Sequence, residues 1–122
     1  MTHSILLVDD NPDACATAAK LLWTWEYQAD IALDGFTALD LVEKHPYALA
    51  IIDYQMPGMN GVELFRRMQR IRPAIKGIFL TGHTTLDVVY PAIEAGILRV
   101  LPKPVDFEEL LPLIEEYAGS PA

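Results

Sequence analysis

Leu49-Ala50-Ile51-Ile52-Asp53-Tyr54-Gln55-Met56-Pro57-Gly58-Met59-Asn60-Gly61 is the stretch that decides the fold. Four aliphatic residues end abruptly in an acid, and a Pro-Gly turn follows. An apolar run of that kind, bounded by breakers, reads as a strand buried on both faces. Asp53 then stands where the strand leaves the core. A carboxylate there is partly desolvated, which costs free energy unless neighbouring groups offset it. Those neighbours have to come from elsewhere in the chain.

Upstream, Ile5-Leu6-Leu7-Val8 is a second such run and ends in Asp9-Asp10. Asn11-Pro12-Asp13 follows with a capping residue, a proline suited to the first helical position and an acid in the first turn. The helix that starts there places Ala14, Ala18, Leu21, Leu22 and Trp25 on one face, with Trp23 on the other. Cys15 lies among alanines and reads as a small buried hydrophobe. Tyr27 to Leu33 alternates roughly, as a half-exposed edge strand does. After the Asp34-Gly35 turn, a second helix carries Ala38, Leu39 and Val42 and stops at His45-Pro46.

Downstream of Asp53, Asn60 caps a third helix with Leu64, Phe65, Met68 and Ile71 inward, halted by Pro73. Arg66, Arg67, Arg70 and Arg72 read as its solvated face. Ile78-Phe79-Leu80 is another buried run and ends in Thr81-Gly82. A fourth helical stretch runs to Ala95-Gly96, where the glycine is the stop. Pro91 falls inside it, and an interior proline costs about 3 kcal/mol. The spacing therefore favours a helix beginning near Pro91 over a kinked one, with Thr84 to Tyr90 loosely ordered. Leu98 to Leu101 is the fifth strand and leads into Pro102-Lys103-Pro104. Asp106 with Glu109 forms a capping box for a last helix bearing Leu110, Leu111, Ile114 and Tyr117. Pro112 predicts a local kink.

Strands alternating with helices imply a parallel sheet covered on both faces. Right-handed crossovers with the first strand central give an α/β, doubly wound (βα)5 three-layer sandwich, its five strands in the order 2-1-3-4-5. Ligands of such sheets sit at the carboxyl ends of the strands. Asp9, Asp10, Asp53, Thr81 and Lys103 all fall on that rim. Each alone is commonplace; together they have a physical logic. Two unit charges about 4 Å apart at an effective dielectric near 20 repel by roughly 4 kcal/mol. Three clustered carboxylates need cations: Lys103 is one, and a divalent metal supplies the rest. Magnesium (or manganese) takes oxygen ligands of this kind. Asp10 and Asp53 are the candidate carboxylate ligands, Asp9 binds directly or through water, and the Gln55 backbone carbonyl closes the shell. A carboxylate can attack phosphorus to give an acyl phosphate. The metal, Lys103 and the Thr81 hydroxyl would each hold one phosphoryl oxygen, and Gly82 leaves room and a backbone donor. Asp53 is thus the candidate phosphoacceptor.

A chain of 122 residues, 52% hydrophobic, suits one domain with its own core. A single cysteine excludes a disulfide framework and a cysteine zinc site. The three histidines lack metal-site spacing. No aliphatic run approaches the ~20 residues of a membrane span. Met1-Thr2-His3-Ser4 shows no secretory pattern, so a cytoplasmic location is expected. The net charge of −8 argues against direct nucleic-acid contact.

The chain resembles the receiver domain of two-component response regulators over nearly its whole length. The motifs are Ile5–Asp10, Ile51–Gly61, Leu80-Thr81-Gly82-His83, Ala95-Gly96 and Lys103-Pro104. The resemblance implies a flavodoxin-like receiver over residues 1–118, with 119–122 as tail or linker. It implies that Asp53 takes its phosphoryl group from a phosphohistidine of a sensor histidine kinase or histidine phosphotransfer protein, and that Lys103-Pro104 is cis. The chain would catalyse only its own phosphotransfer and dephosphorylation, and would switch a C-terminal effector domain or a separate partner; a homodimer stays open. In that family an aromatic three residues before the lysine follows the threonine on activation. Here the position is Val100, so that lever is missing, and Tyr90 is the candidate to cover the space. On phosphorylation, Thr84 to Tyr90 would become ordered. His83 would either touch the phosphate mouth or stand as a surface bystander. Trp23 would either dock a phosphodonor, which meets the first helix in this family, or pack partly against neighbouring side chains.

Three rivals stand beside this reading. A haloacid-dehalogenase phosphatase needs a second acid two residues after the nucleophile, and Gln55 is there. A flavodoxin places its phosphate loop after the first strand, where Asp9-Asp10 would repel it. A pseudo-receiver would act as an interaction module without phosphate.

Overall fold

The computed structural model describes residues 4–82 and 84–119. The elements run β1 (Ser4–Val8), α1 (Pro12–Thr24), β2 (Gln28–Ala32), α2 (Gly35–Lys44), β3 (Leu49–Asp53), α3 (Gly61–Ile71), β4 (Lys76–Thr81), α4 (Leu86–Ala95), β5 (Arg99–Pro102) and α5 (Phe107–Ala118). The strands form one parallel sheet in the order β2-β1-β3-β4-β5, the doubly wound arrangement that the alternation predicts.

Each strand divides its side chains between two cores. Leu6, Val8, Ala50, Ile52 and Phe79 face a cluster built with α2, α3 and α4. Ile5, Leu7, Leu49, Ile51 and Ile78 face a second one built with α1 and α5. All five residues of β3 are buried, as the continuous apolar run requires. Gly77 marks the tightest packing. A Cβ there would lie 2.5 Å from the Phe65 ring and 2.9 Å from Ile97, so only glycine lets α3 approach the sheet this closely.

The helix ends follow the expected chemistry. Asn11, Asp34 and Asn60 accept hydrogen bonds from first-turn N–H groups. Gly96 closes α4 at φ 94°, in the left-handed region. Asp106 caps α5 through the Glu108 N–H at 2.9 Å, and among the described residues Glu109 makes no return bond; the box is one-sided.

Four readings need correction. The helix does not wait for Pro91: α4 begins at Leu86 and runs through it. The proline removes one donor to the Asp87 carbonyl, and Asp87 is exposed, so that acceptor is left to water. On α1, Ala18, Leu22 and Trp25 pack on the core and Cys15 is buried as expected, but Ala14 is exposed instead of inward. Ile71 lies 37% exposed at the last turn of α3 instead of inward. Tyr27 precedes β2 and is fully buried, its hydroxyl donating to the Gly119 carbonyl at 2.8 Å. α5 likewise continues through Pro112.

Candidate functional site

The site is assembled where strands stop. β1 ends at Val8, and the chain turns at Asp9, whose N–H donates to the Ala32 carbonyl of β2 at 3.1 Å. The Asn11 N–H then donates to Asp9 Oδ1 at 3.0 Å, while Asn11 itself caps α1. One residue therefore orients the carboxylate and starts the helix. β3 delivers Asp53, only 3% exposed, and the Gln55 N–H donates to its Oδ1 at 3.2 Å.

β4 and β5 complete the rim. Leu80 pairs with Asp53 in register and Thr81 with Pro102, so Thr81, fully buried, stands one step beyond Asp53 on the next strand. The Lys103 N–H donates to the Thr81 carbonyl at 2.8 Å, which ties the β5 exit to the end of β4. The Lys103-Pro104 peptide is cis, as the resemblance implies. From this turn the Lys103 ammonium reaches Asp53 Oδ2 at 2.9 Å and Asp9 Oδ2 at 4.0 Å.

Oxygens of Asp9, Asp10 and Asp53 lie within 4.8 Å of one another. With Lys103 the cluster keeps a formal excess of two negative charges. Burial raises the Asp9 pKa, the Asn11 N–H opposes this, and the Asp53 charge raises it further. Burial would lower the Lys103 pKa, but the hydrogen bond and charge of Asp53, then Asp9 and Asp10, outweigh it and the value is raised. Burial, with Asp9 beside it, pushes the Cys15 thiol up to about 11, so it is an inert neighbour. Hard oxygen donors with unspent negative charge form a set that fits magnesium or manganese.

A groove of about 790 Å³ opens beside the cluster between α1 and α5. Its mouth carries Asp9, Asp10 and Lys103, and its far end is apolar, with Leu22, Ile51 and Leu110. No pattern in the sequence announced it, because it depends on how two helices splay.

The other candidates divide. Gly82 is exposed just past β4, where an added Cβ would meet the Gln55 side-chain oxygen at 3.7 Å, an ordinary contact. His83 lies outside the described residues. Trp23 is 69% exposed, but it lies near the far end of α1, about 16 Å along the axis from Pro12. Val100 is half-buried, in register with Phe79. Tyr90 is 59% exposed. The aromatic contact in this layer is instead Tyr54 against Phe79, centroids 5.4 Å apart. Sequence reading missed Tyr54 because nothing in a Asp-Tyr-Gln string says which way the ring turns.

Fold and rim together define a class: a doubly wound α/β protein whose strand-end carboxylates and lysine form a cation-seeking pocket around one buried acid. The comparisons specify it. The family model described as "Response regulator receiver domain" matches residues 5–115. Sporulation initiation phosphotransferase F of Bacillus subtilis is 32% identical over 117 residues, covering 96% of this chain and 94% of that protein. Transcriptional regulatory protein ZraR of Escherichia coli K12 is 31% identical over 95% of this chain, which spans only 27% of ZraR. The crystal structure of a CheY-like response regulator receiver domain protein from Methanospirillum hungatei superposes with a TM-score of 0.90 at 30% identity, over 95% of this chain and 93% of that one. The chain belongs to the response regulator receiver domain family, whose members are phosphoacceptors in two-component signalling rather than free-standing enzymes. Nothing favours a phosphate-independent pseudo-receiver.

Proposed function

We propose that Asp53 is the phosphoacceptor and that Asp9, Asp10, Asp53 and the Gln55 carbonyl hold the Mg2+ (or Mn2+) it needs. The observation that carries this is the Lys103 ammonium 2.9 Å from a carboxylate that is 97% buried and backed by two further acids. A bound divalent ion would offset the charge that builds on the phosphoryl oxygens.

The donor is a phosphohistidine of a sensor kinase or a histidine phosphotransfer protein. An Asp53 carboxylate oxygen attacks phosphorus, an O–P bond forms and the N–P bond to the donor imidazole breaks. The imidazole nitrogen leaves with the bonding pair and takes a proton. Lys103 holds Asp53 against its like-charged neighbours before transfer and pairs with a phosphoryl oxygen afterwards. The Thr81 hydroxyl and the space at Gly82 receive the other oxygens. Hydrolysis of the acyl phosphate by water resets the domain.

Residues 1–118 act as the receiver and 119–122 as tail or linker, working in the cytoplasm. The output is a change of partner. In a longer protein built like ZraR, that partner would be a following effector segment; with the dimensions of the Bacillus phosphotransferase it would be a separate phosphorelay protein.

The test is incubation with acetyl phosphate and magnesium, followed by intact mass and peptide mapping. One labile phosphoryl group on Asp53, absent without metal and in Asp53→Asn, is expected. No mass gain, or a gain at another residue, refutes the assignment.

A further inference from the structure

A second cleft lies between α3 and α4, about 520 Å³ in volume, lined by Tyr54, Asn60, Val62, Glu63, Arg66, Arg67, Arg70 and Pro91. It holds three of the five arginines of a chain whose net charge is −8. The sequence alone reads these arginines as a solvated helix face, but the packing of α4 turns that face into one wall of a groove.

Most cations of this protein are already engaged. Lys103 is held by the rim acids, and Arg67 by Glu63 at 3.0 Å. Arg72 donates to the Val42 and Glu43 carbonyls at the end of α2, and Lys76 to the Tyr117 carbonyl. Arg99 donates to the Leu98 carbonyl and lies 5.8 Å from the centre of the Tyr117 ring. Among the described residues that leaves Lys20, Lys44, Arg66 and Arg70 without an intramolecular hydrogen bond or ion pair, and the two arginines share this cleft. They lie on the α3 face that carries Glu63 and Arg67, at the i, i+3, i+4 and i+7 spacing of neighbours.

The structure assigns this cleft, we infer, to an acidic peptide segment of a partner protein. Guanidinium groups match carboxylates in a planar, two-bonded fork that lysine cannot offer. Arginine is also the cation enriched at protein interfaces. The cleft is too open for a small ligand: Asn60, Glu63, Arg66 and Arg70 are all exposed, whereas small-molecule sites bury most of their ligand. Tyr54 and Pro91 add apolar surface beside the charges, as a peptide backbone with alternating side chains requires. Overall charge repels an acidic ligand from this protein, so its binding reports a local surface. The inference stands whether or not Asp53 takes a phosphoryl group.

The test is fluorescence anisotropy with fluorescein-labelled hexaglutamate at low ionic strength, on the whole chain. Saturable binding that falls at least about tenfold in Arg66→Gln/Arg70→Gln, and is kept in Lys20→Gln/Lys44→Gln, supports the cleft. So do amide shifts confined to Tyr54, Asn60 and the Arg66–Arg70 turn. Unchanged affinity in the arginine double variant, equal loss in the lysine one, or no saturation overturns it. Stronger displacement by inorganic pyrophosphate than by unlabelled hexaglutamate also overturns it, in favour of a phosphate ligand. Both arginines are exposed, and unchanged circular dichroism verifies that the variants fold.

Discussion

The acid rim and the α3 face are opposites in more than sign. At the rim, surplus negative charge is gathered from the ends of two strands and held by backbone: Asn11 and Gln55 N–H groups fix two carboxylates, and Lys103 is anchored through the Thr81 carbonyl. On α3 the surplus is positive, exposed, and carried by flexible side chains on a single helix. Groups pinned among like charges store unfavourable energy that a reacting partner can release. Groups free in solvent store almost none. Substitutions at the rim should therefore alter chemistry strongly and stability in unusual directions, while those on α3 should alter neither.

The largest effect tests the rim itself. Asp53→Asn is expected to abolish phosphoryl uptake and to weaken magnesium binding, read by intact mass and calorimetric titration. Next comes Lys103→Met, which leaves the Asp53 carboxylate without its 2.9 Å cation. Phosphotransfer from acetyl phosphate should fall by about 100-fold or more in a protein that still binds magnesium; wild-type rates would erase the distinction between pinned and free charge.

Asp9→Asn sharpens the contrast in the opposite direction. It retains an acceptor for the Asn11 N–H but removes one of three crowded charges. The metal-free variant should be more stable than wild type by about 1 kcal/mol at neutral pH, while its magnesium affinity drops. The sign follows from linkage. A carboxylate whose folded pKa is raised destabilises the fold when ionised, and the penalty is relieved as pH falls through that raised value. The gap between variant and wild type in urea midpoint should therefore narrow on acidification. The smallest effect belongs to α3. Arg67→Ala breaks the exposed 3.0 Å pair with Glu63 and should cost no more than about 0.5 kcal/mol by urea denaturation.

The rim was legible in the sequence and the α3–α4 cleft was not, for a physical reason. Apolar runs that stop at an acid mark both a strand and its exit, so Asp9, Asp53, Thr81 and Lys103 are placed by topology alone. The cleft depends on where α4 lies, and Pro91 misled on that point: a lost hydrogen bond inside a helix is tolerated where water can satisfy the carbonyl. Arg72 looked like one more solvated arginine, yet it ties α3 to the last carbonyls of α2. The exposure of Ala14 reflects alanine's ambiguity, since so small a side chain fits either side of a helix face. Val100 was flagged as a departure, but only packing showed Tyr54 and Phe79 pairing in that layer.

The closing turn of α5 bears on anything joined after it. The Tyr117 carbonyl accepts from Lys76, the first residue of β4, and the Gly119 carbonyl from Tyr27, just ahead of β2. These two ties moor the helix terminus to the starting edge of the sheet. Asp53 lies at the finishing edge, about 13 Å away across the four strand steps from Leu49. A module tethered beyond Gly119 hangs from the underside of the domain. News of events at the acids must reach it through the body of the fold, or the module must swing around the outside to meet them.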